Sequence, residues 1–359
     1  MTEIRVAIAG VGNCASALVQ GIEYYRRLPE TEDSPGVMHP VLADYSVSDI
    51  TFVAAFDVDG RKLGRDLAES IFVPPNVCTK FSEVPPLGVS VQAAPVLDGV
   101  ASHMMKPFSV YDEKAVRPVD VANVLSECGA DMLLNYLPVG STTATRYYAE
   151  ACLRAKCAFV NCIPEFIASS EDWAEKFRQA RIPVAGDDIK SQYGATILHR
   201  ALASLCLDRG IRVDETYQMN LGGNTDFLNM TVEDRLASKR KSKTEAVTSL
   251  LPYKVPTRIG PSDYVSFLGD TKVCYIHLKG TNFGGRPISI DLKLSVEDSP
   301  NSAGVVVDII RAVKVALDRK IGGPLVSISS YAFKHPPLTV SDEIAKRGVE
   351  EFICGSRDI

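Results

Sequence analysis

With 359 residues, 46% of them apolar and 23% charged, the chain can fill the cores of two domains, which excludes a disordered, fibrous or low-complexity protein. Thirty-nine basic against 44 acidic side chains leave a net charge of -5, so no chain-wide basic field exists to hold nucleic acid or an anionic lipid surface. Nine cysteines without a CxxC pair, and no run near the ~18 apolar residues that a membrane span needs, fit a cytoplasmic protein with reduced thiols and no membrane partner.

From the N-terminal end, short β-branched runs alternate with helical periods: Val6 to Ala9, Phe52 to Phe56, Met132 to Leu137, Ala158 to Asn161 and Ile182 to Ala185 as strands, with Val121 to Cys128, Thr142 to Ala155 and Asp172 to Ala180 as helices. Asp120 and Ser141 or Thr142 are their expected N-caps. That alternation predicts an α/β fold with a doubly wound, Rossmann-type parallel sheet. Residues 28 to 50 and 73 to 118, rich in Pro, Gly and polar residues, fit neither period and read as insertions. After a helix over Gln192 to Leu207 the period changes to two. Ile288, Ile290, Leu292, Leu294 and Val296 alternate with polar residues, and Val273 to Lys279 is the expected partner across a Gly284-Gly285 turn. This predicts a second α+β domain on a largely antiparallel sheet. A helix capped by Ser299, with Pro300 first, runs to Arg319, and Asp342 to Cys354 reads as one more. The expected division is a dinucleotide-binding domain over 1–195, with 300–359 packing back on it, and a catalytic and oligomerisation domain over 196–299.

Gly10-Val-Gly12-Asn-Cys-Ala15 follows a strand and opens a helix, the context of a dinucleotide fingerprint. Gly10 permits the tight turn, Gly12 admits a pyrophosphate, and the helix N-terminus offers it free N–H groups. The second strand ends in Asp57-Val-Asp59, where a carboxylate can accept both hydroxyls of an adenosine ribose and repel a 2′-phosphate, favouring NAD over NADP. The competing reading is that Asp57 or Asp59 only caps the next helix. Gly186-Asp187-Asp188-Ile-Lys190-Ser191 lies at the carboxyl end of a parallel strand, where ligands bind. Ser238 to Lys243, with Lys239 and Lys243, concentrates positive charge, while Lys272 and Lys334 stand near turns. Ammonium groups so placed suit a phosphorylated sugar, and each alone also suits a solvated face. The five histidines have no zinc spacing, and His199 reads as packing.

Gly10-Val-Gly-Asn-Cys14, Asn135-Tyr-Leu-Pro-Val-Gly-Ser141, Gly186-Asp-Asp-Ile-Lys-Ser191, Leu221-Gly-Gly-Asn-Thr-Asp226, Ser238 to Lys243 and Asp298-Ser-Pro-Asn-Ser302 together resemble the myo-inositol-1-phosphate synthase family, most of all its compact bacterial and archaeal members. The resemblance runs from residue 4 to 335. It implies an isomerase that converts glucose 6-phosphate into 1L-myo-inositol 1-phosphate by C5 oxidation, enolisation, ring closure and re-reduction, with a tightly held, recycled NAD and a monovalent or divalent cation left open. It implies Lys239 as acid/base with Asp188 as relay partner, Lys243 and Lys334 on the phosphate or chain oxygens, Lys272 on the developing oxyanion, and Asp298 orienting an ammonium. Asn220, Asn224 and Lys190 would meet substrate. NAD would meet Gly10, Gly12, Asn13, Asp57, Asp66, Tyr148, Ser191, Asp226 and Lys239. A homotetramer built through the antiparallel sheets is also implied. Two other readings stand beside it. One is a simple NAD-dependent dehydrogenase of a small acid or aldehyde with Cys157 or Cys162 as nucleophile; the other is a non-catalytic NAD sensor.

Overall fold

The computed structural model of the chain describes residues 3–28, 34–232 and 244–359. Strands β1 (Ile4–Ala9), β2 (Ile50–Asp57), β3 (Val91–Ala93), β4 (Met132–Asn135), β5 (Ala158–Asn161), β6 (Pro183–Ala185) and β11 (Gly323–Pro324) form one parallel sheet in the order β11-β6-β5-β4-β1-β2-β3. The order reverses at β1, between β4 and β2, so a crevice opens at the carboxyl ends of these strands. Strand β3 comes out of residues 73–118, which the sequence presented as an insertion. Three residues between the Pro85-Pro86 pair and Pro95 are too short to show a period.

Helices α2 (Val121–Glu127), α3 (Thr142–Ala155) and α4 (Glu171–Ala180) cover one face of this sheet. On the other lie α1 (Asn13–Arg26), α7 (Asp298–Asp318) and α8 (Val326–Ala332). Asp120 caps α2 through Ala122 N at 3.0 Å, as its position predicts. Ser141 stands at the N-cap of α3 without a side-chain bond; the distant Asp98 accepts from Thr143 N at 2.7 Å and Ala144 N at 2.8 Å instead. Helix α7 is apolar nearly all round because α1 and the sheet enclose it. Val306, Ile309, Ile310 and Val313 are fully buried, each worth about 1.5–3 kcal/mol. Its one buried cation, Arg311, is matched by Asp308 at 2.5 Å and donates to Pro40 O and Tyr45 O, which fastens the 34–49 segment to the helix. Helix α9 (Asp342–Ile353) packs on α8.

The second sheet has the order β8-β7-β9-β10, from β7 (Arg212–Gly222), β8 (Thr257–Tyr264), β9 (Thr271–Thr281) and β10 (Pro287–Glu297). The β9–β10 hairpin is antiparallel, with Val273 opposite Ser295 and Lys279 opposite Ser289, and β7 is antiparallel to β9. Only β7 and β8 run parallel. Helix α5 (Ala195–Asp208) covers one face through Ala195, Ala203 and Cys206 against Cys274, Ile276 and Leu278. Tyr217, Met219 and Tyr275 look out from the other face.

Candidate active site

A cavity of about 230 Å³ opens at the crevice and extends toward the second sheet. At one end it is built from the turn after β1. Gly10 has φ +91°, and a Cβ there would lie 2.8 Å from Tyr136 O, so only glycine fits. A Cβ on Gly12 would meet nothing within 4 Å, leaving room for a ligand against the backbone. Helix α1 starts at Asn13 with no side-chain cap and no acid in its first turn, so its N–H groups and positive end remain for an anion.

Asp57 closes this end. Its carboxylate accepts from Val11 N at 2.8 Å, Val58 N at 2.7 Å and Asp59 N at 2.9 Å, which aims it beside the glycine turn. Lys62, 1% exposed, stands beneath it: Nζ is 3.8 Å from the Asp57 carboxylate and donates to Val11 O at 2.7 Å and Asn76 Oδ1 at 3.2 Å. Asn13 lines the cavity while its Oδ1 takes Val77 N and Cys78 N. Tyr148 lines it too, its hydroxyl held protonated by burial and by the nearby Asp57 charge.

At the other end two ammonium groups each meet a carboxylate. Lys334 Nζ donates to Asp188 Oδ1 at 2.9 Å and to Ile189 O; Lys272 Nζ donates to Asp298 Oδ1 at 3.0 Å. Asp188 sits just past β6, with the Gly186-Asp187 turn pinned below it. The buried Asp187 accepts from Asn161 Nδ2, three backbone N–H groups and the Ser169 hydroxyl, yet burial pushes its pKa up to about 6. Asp270 organises the facing loop. It accepts from Asn224 Nδ2 at 3.2 Å, Ser299 N at 3.1 Å and Ser299 Oγ at 2.9 Å; burial, with the Asp298 charge adding to it, raises its pKa to about 6. Asn224 in turn caps the short helix α6 (Thr225–Asn229), bringing Asp226 to the wall.

A second, smaller cavity of about 10 Å³ adjoins the first and shares Ser191, Lys272 and Lys334 with it. Its floor is the N-terminus of α5, with Gly194 as N-cap and no acid in the first turn, and its wall is Gln218 and Asn220.

Of the residues singled out from the sequence, Gly10, Gly12, Asn13, Asp57, Tyr148, Asp188, Ser191, Asn224, Asp226, Lys272, Asp298 and Lys334 share the large cavity, and Asn220 lines the small one. Two lie elsewhere. Asp66 caps the turn Leu67–Ser70 through Ala68 N and takes Leu87 N and Gly88 N, so it has a structural task. Lys190 turns its Nζ into the protein, donating to Ser330 O and Tyr331 O, and burial lowers its pKa to about 8. Lys239 and Lys243 fall outside the described residues. Cys157 and Cys162 are buried, and burial raises both thiols well above their ordinary pKa, which disfavours a thiolate nucleophile. Lys62, Asp270 and the Gly194 helix start went unremarked in the sequence. The Gly269-Asp270 pair two residues before Lys272 was the one signal for any of them.

A profile of the myo-inositol-1-phosphate synthase family matches residues 194–299. The chain is 52% identical over 358 residues to the inositol-3-phosphate synthase of Corynebacterium glutamicum, covering 98% of each. It is 51% identical over 357 residues to the enzyme of the same name from Mycobacterium tuberculosis, covering 99% of this chain and 96% of that one. Its fold matches that of a myo-inositol-1-phosphate synthase-related protein from Thermotoga maritima with a TM-score of 0.81 at 24% identity, over 98% of each chain.

Proposed function

The chain belongs to the myo-inositol-1-phosphate synthase family, and from that membership we propose how its own residues divide the work. The protein is an isomerase that cyclises D-glucose 6-phosphate to inositol phosphate, and the family is NAD-dependent. The observation that carries the residue assignment is the paired geometry at the cavity's inner end: Lys334 on Asp188 and Lys272 on Asp298, facing a glycine turn built for a dinucleotide.

The residues fit NAD. The open space over Gly12, the uncapped start of α1 and the fixed carboxylate of Asp57 suit a pyrophosphate and a ribose, and Tyr148, Ser191 and Asp226 extend the wall inward. NAD, when bound, supplies the reversible oxidation at C5 that acidifies the C6 protons and leaves no net redox change. The junction of the two cavities suits the phosphate, with the α5 N-terminus below and Lys272 and Lys334 at the sides. Asp188 accepts from the Lys334 ammonium, so a proton can pass along that pair to a sugar oxygen. Lys272, fixed by Asp298, holds positive charge where an oxyanion develops during enolisation and ring closure. Lys239 is read as the acid/base at the C5 oxygen and Lys243 as a further phosphate ligand.

The exposed Tyr217, Met219 and Tyr275 on the outer face of the second sheet support a homotetramer joined through that sheet. A cytoplasmic setting is in keeping with nine free cysteines. Among the described residues no group of three or more His, Cys, Asp or Glu could hold a metal ion, and no helix is long and apolar enough to cross a membrane. The test is incubation with glucose 6-phosphate and NAD. Inositol phosphate should accumulate without net absorbance at 340 nm, whereas stoichiometric NADH would mark a simple dehydrogenase. Removing and restoring ammonium, potassium and magnesium in that assay decides the cation.

A further inference from the structure

Behind the small cavity a line of polar side chains crosses the space between α5 and the second sheet, all of it buried. Asn220 Nδ2 donates to Gly260 O at 2.9 Å, and Gln218 Nε2 donates to Asn220 Oδ1 at 3.1 Å. Gln218 Oε1 lies 3.2 Å from His199 Nδ1; His199 Nε2 lies 2.7 Å from Thr216 Oγ1, which donates to His277 O at 2.6 Å. His199 and Asn220 have no exposed surface, Gln218 has 2% and Thr216 has 4%. A packing histidine accounts for none of this order.

The line ends at both sides on carbonyl oxygens, which can only accept. Read from Gly260, each amide has to point its nitrogen outward along the line, so Gln218 shows its oxygen to the ring and Nδ1 has to carry hydrogen. Read from His277, the Thr216 hydroxyl points away from the ring, so Nε2 has to carry hydrogen as well. Burial lowers the pKa of the ring to about 4, with the Gln218 bond acting in the opposite direction, so at neutral pH one hydrogen has two claimants. The charged groups nearby do not claim it. Arg200, next on α5, turns to Asp342 at 2.7 Å, and Lys272 and Lys334 stand beyond Asn220 in the cavity. Thr216 can yield by rotating its hydroxyl toward Nε2. The amides cannot yield so cheaply: were Nδ1 bare, Gln218 and Asn220 would both turn over, setting Asn220 Oδ1 against Gly260 O.

We propose that His199 is a positioning residue of the reaction: its Nδ1–H fixes the order of the Gln218–Asn220 line and so sets which way the Asn220 amide is turned in the wall of the small cavity. The proposal rests on the reading of that cavity given above. His199→Phe keeps a flat ring and removes the donor. The KM for glucose 6-phosphate should rise about tenfold, the equivalent of one lost hydrogen bond, at unchanged NAD affinity. Thr216→Val removes the rival claimant and should leave KM within about twofold of the parent, because the remaining donor is the one the amides need. In the NAD-loaded enzyme the nitrogen NMR signature of His199 should show Nδ1 protonated and Nε2 bare.

An unmoved KM in His199→Phe, an equal loss of NAD affinity, or a Thr216→Val variant that matches His199→Phe overturns the proposal. Should His199→Phe fail to fold, a bare Nδ1 in the parent overturns it alone. Lys334→Ala, run beside them, separates the two readings. A raised KM there with a flat His199→Phe sinks only the positioning role of His199, whereas an unmoved KM in Lys334→Ala removes the phosphate cavity and the His199 role with it.

Discussion

Replacing Asp188 by asparagine keeps the shape of the side chain and removes its charge. The Lys334 ammonium then sits 2.9 Å from a neutral amide while its bond to the Ile189 carbonyl remains. Both side chains are largely enclosed, at 12% and 4% exposure, so solvent screens the pair poorly. Their gross attraction at that distance is about 6 kcal/mol in an effective dielectric of about 20. Breaking such a pair from one side costs a net ~3–5 kcal/mol, and the retained hydrogen bond places Asp188→Asn at the low end, about 3 kcal/mol. Turnover should fall by about 10²- to 10⁴-fold if the pair relays a proton. Urea unfolding and chromatographic assay of inositol phosphate, applied to Asp188→Asn, Lys334→Met and the double variant, form a complete cycle. Removing both partners should cost far less than the sum of the single losses, by at least ~1.5 kcal/mol in stability. Additive losses would show that the two groups are neighbours without being partners, and the relay through Asp188 would fall.

Three further outcomes are expected. Lys239→Ala should abolish product formation while the unfolding midpoint and NAD affinity stay near the parent values; substantial residual turnover would remove Lys239 from the acid/base role. Asp57→Ala should weaken NAD binding, read by fluorescence titration, by about 1.5–3 kcal/mol for each charge-assisted hydrogen bond lost, and unchanged affinity would return Asp57 to a purely structural part. Lys190, whose pKa falls from 10.5 to about 8 on folding, binds fewer protons folded than unfolded between those limits. Its contribution to stability therefore rises with pH there, by about 1 kcal/mol per pH unit, and Lys190→Met should flatten that rise in urea titrations from pH 7 to 10. Equal slopes in the two proteins would contradict the burial argument.

The parallel sheet was legible because its central strands are buried on both faces and so read as unbroken apolar runs, Met132 to Asn135 and Ala158 to Asn161 among them. The β9–β10 hairpin was legible for the opposite reason, a strict alternation across one covered face. Strand β7 was not, because its pattern is inverted: Thr216, Gln218 and Asn220 face inward while Tyr217 and Met219 face solvent. A period-two reading takes the apolar set as the core and misjudges such a strand, and the inward set is polar where Gln218 and Asn220 line the small cavity and Thr216 meets His199. The start of α7 moved for a related reason. Local reading made Ser299 the cap, but Asp270, from another strand's entry, accepts Ser299 N and lets the helix begin at Asp298. Asp57 and Asp188 were found because motif and strand end coincide in sequence, Lys272 and Lys334 because they stand beside Gly- and Pro-containing turns. Lys62 and Asp270 act only through groups brought to them by folding.

The shared wall of the two cavities acts as a ruler. Ser191, Lys272 and Lys334 border both, so a phosphate seated on the α5 terminus, as proposed above, would turn the sugar carbons next to it toward the larger space. A hexose phosphorylated at its terminal carbon offers its penultimate carbon at that reach. An isomer esterified at the anomeric end would offer a different one, so on the proposed placement the spacing itself would contribute to selection among sugar phosphates.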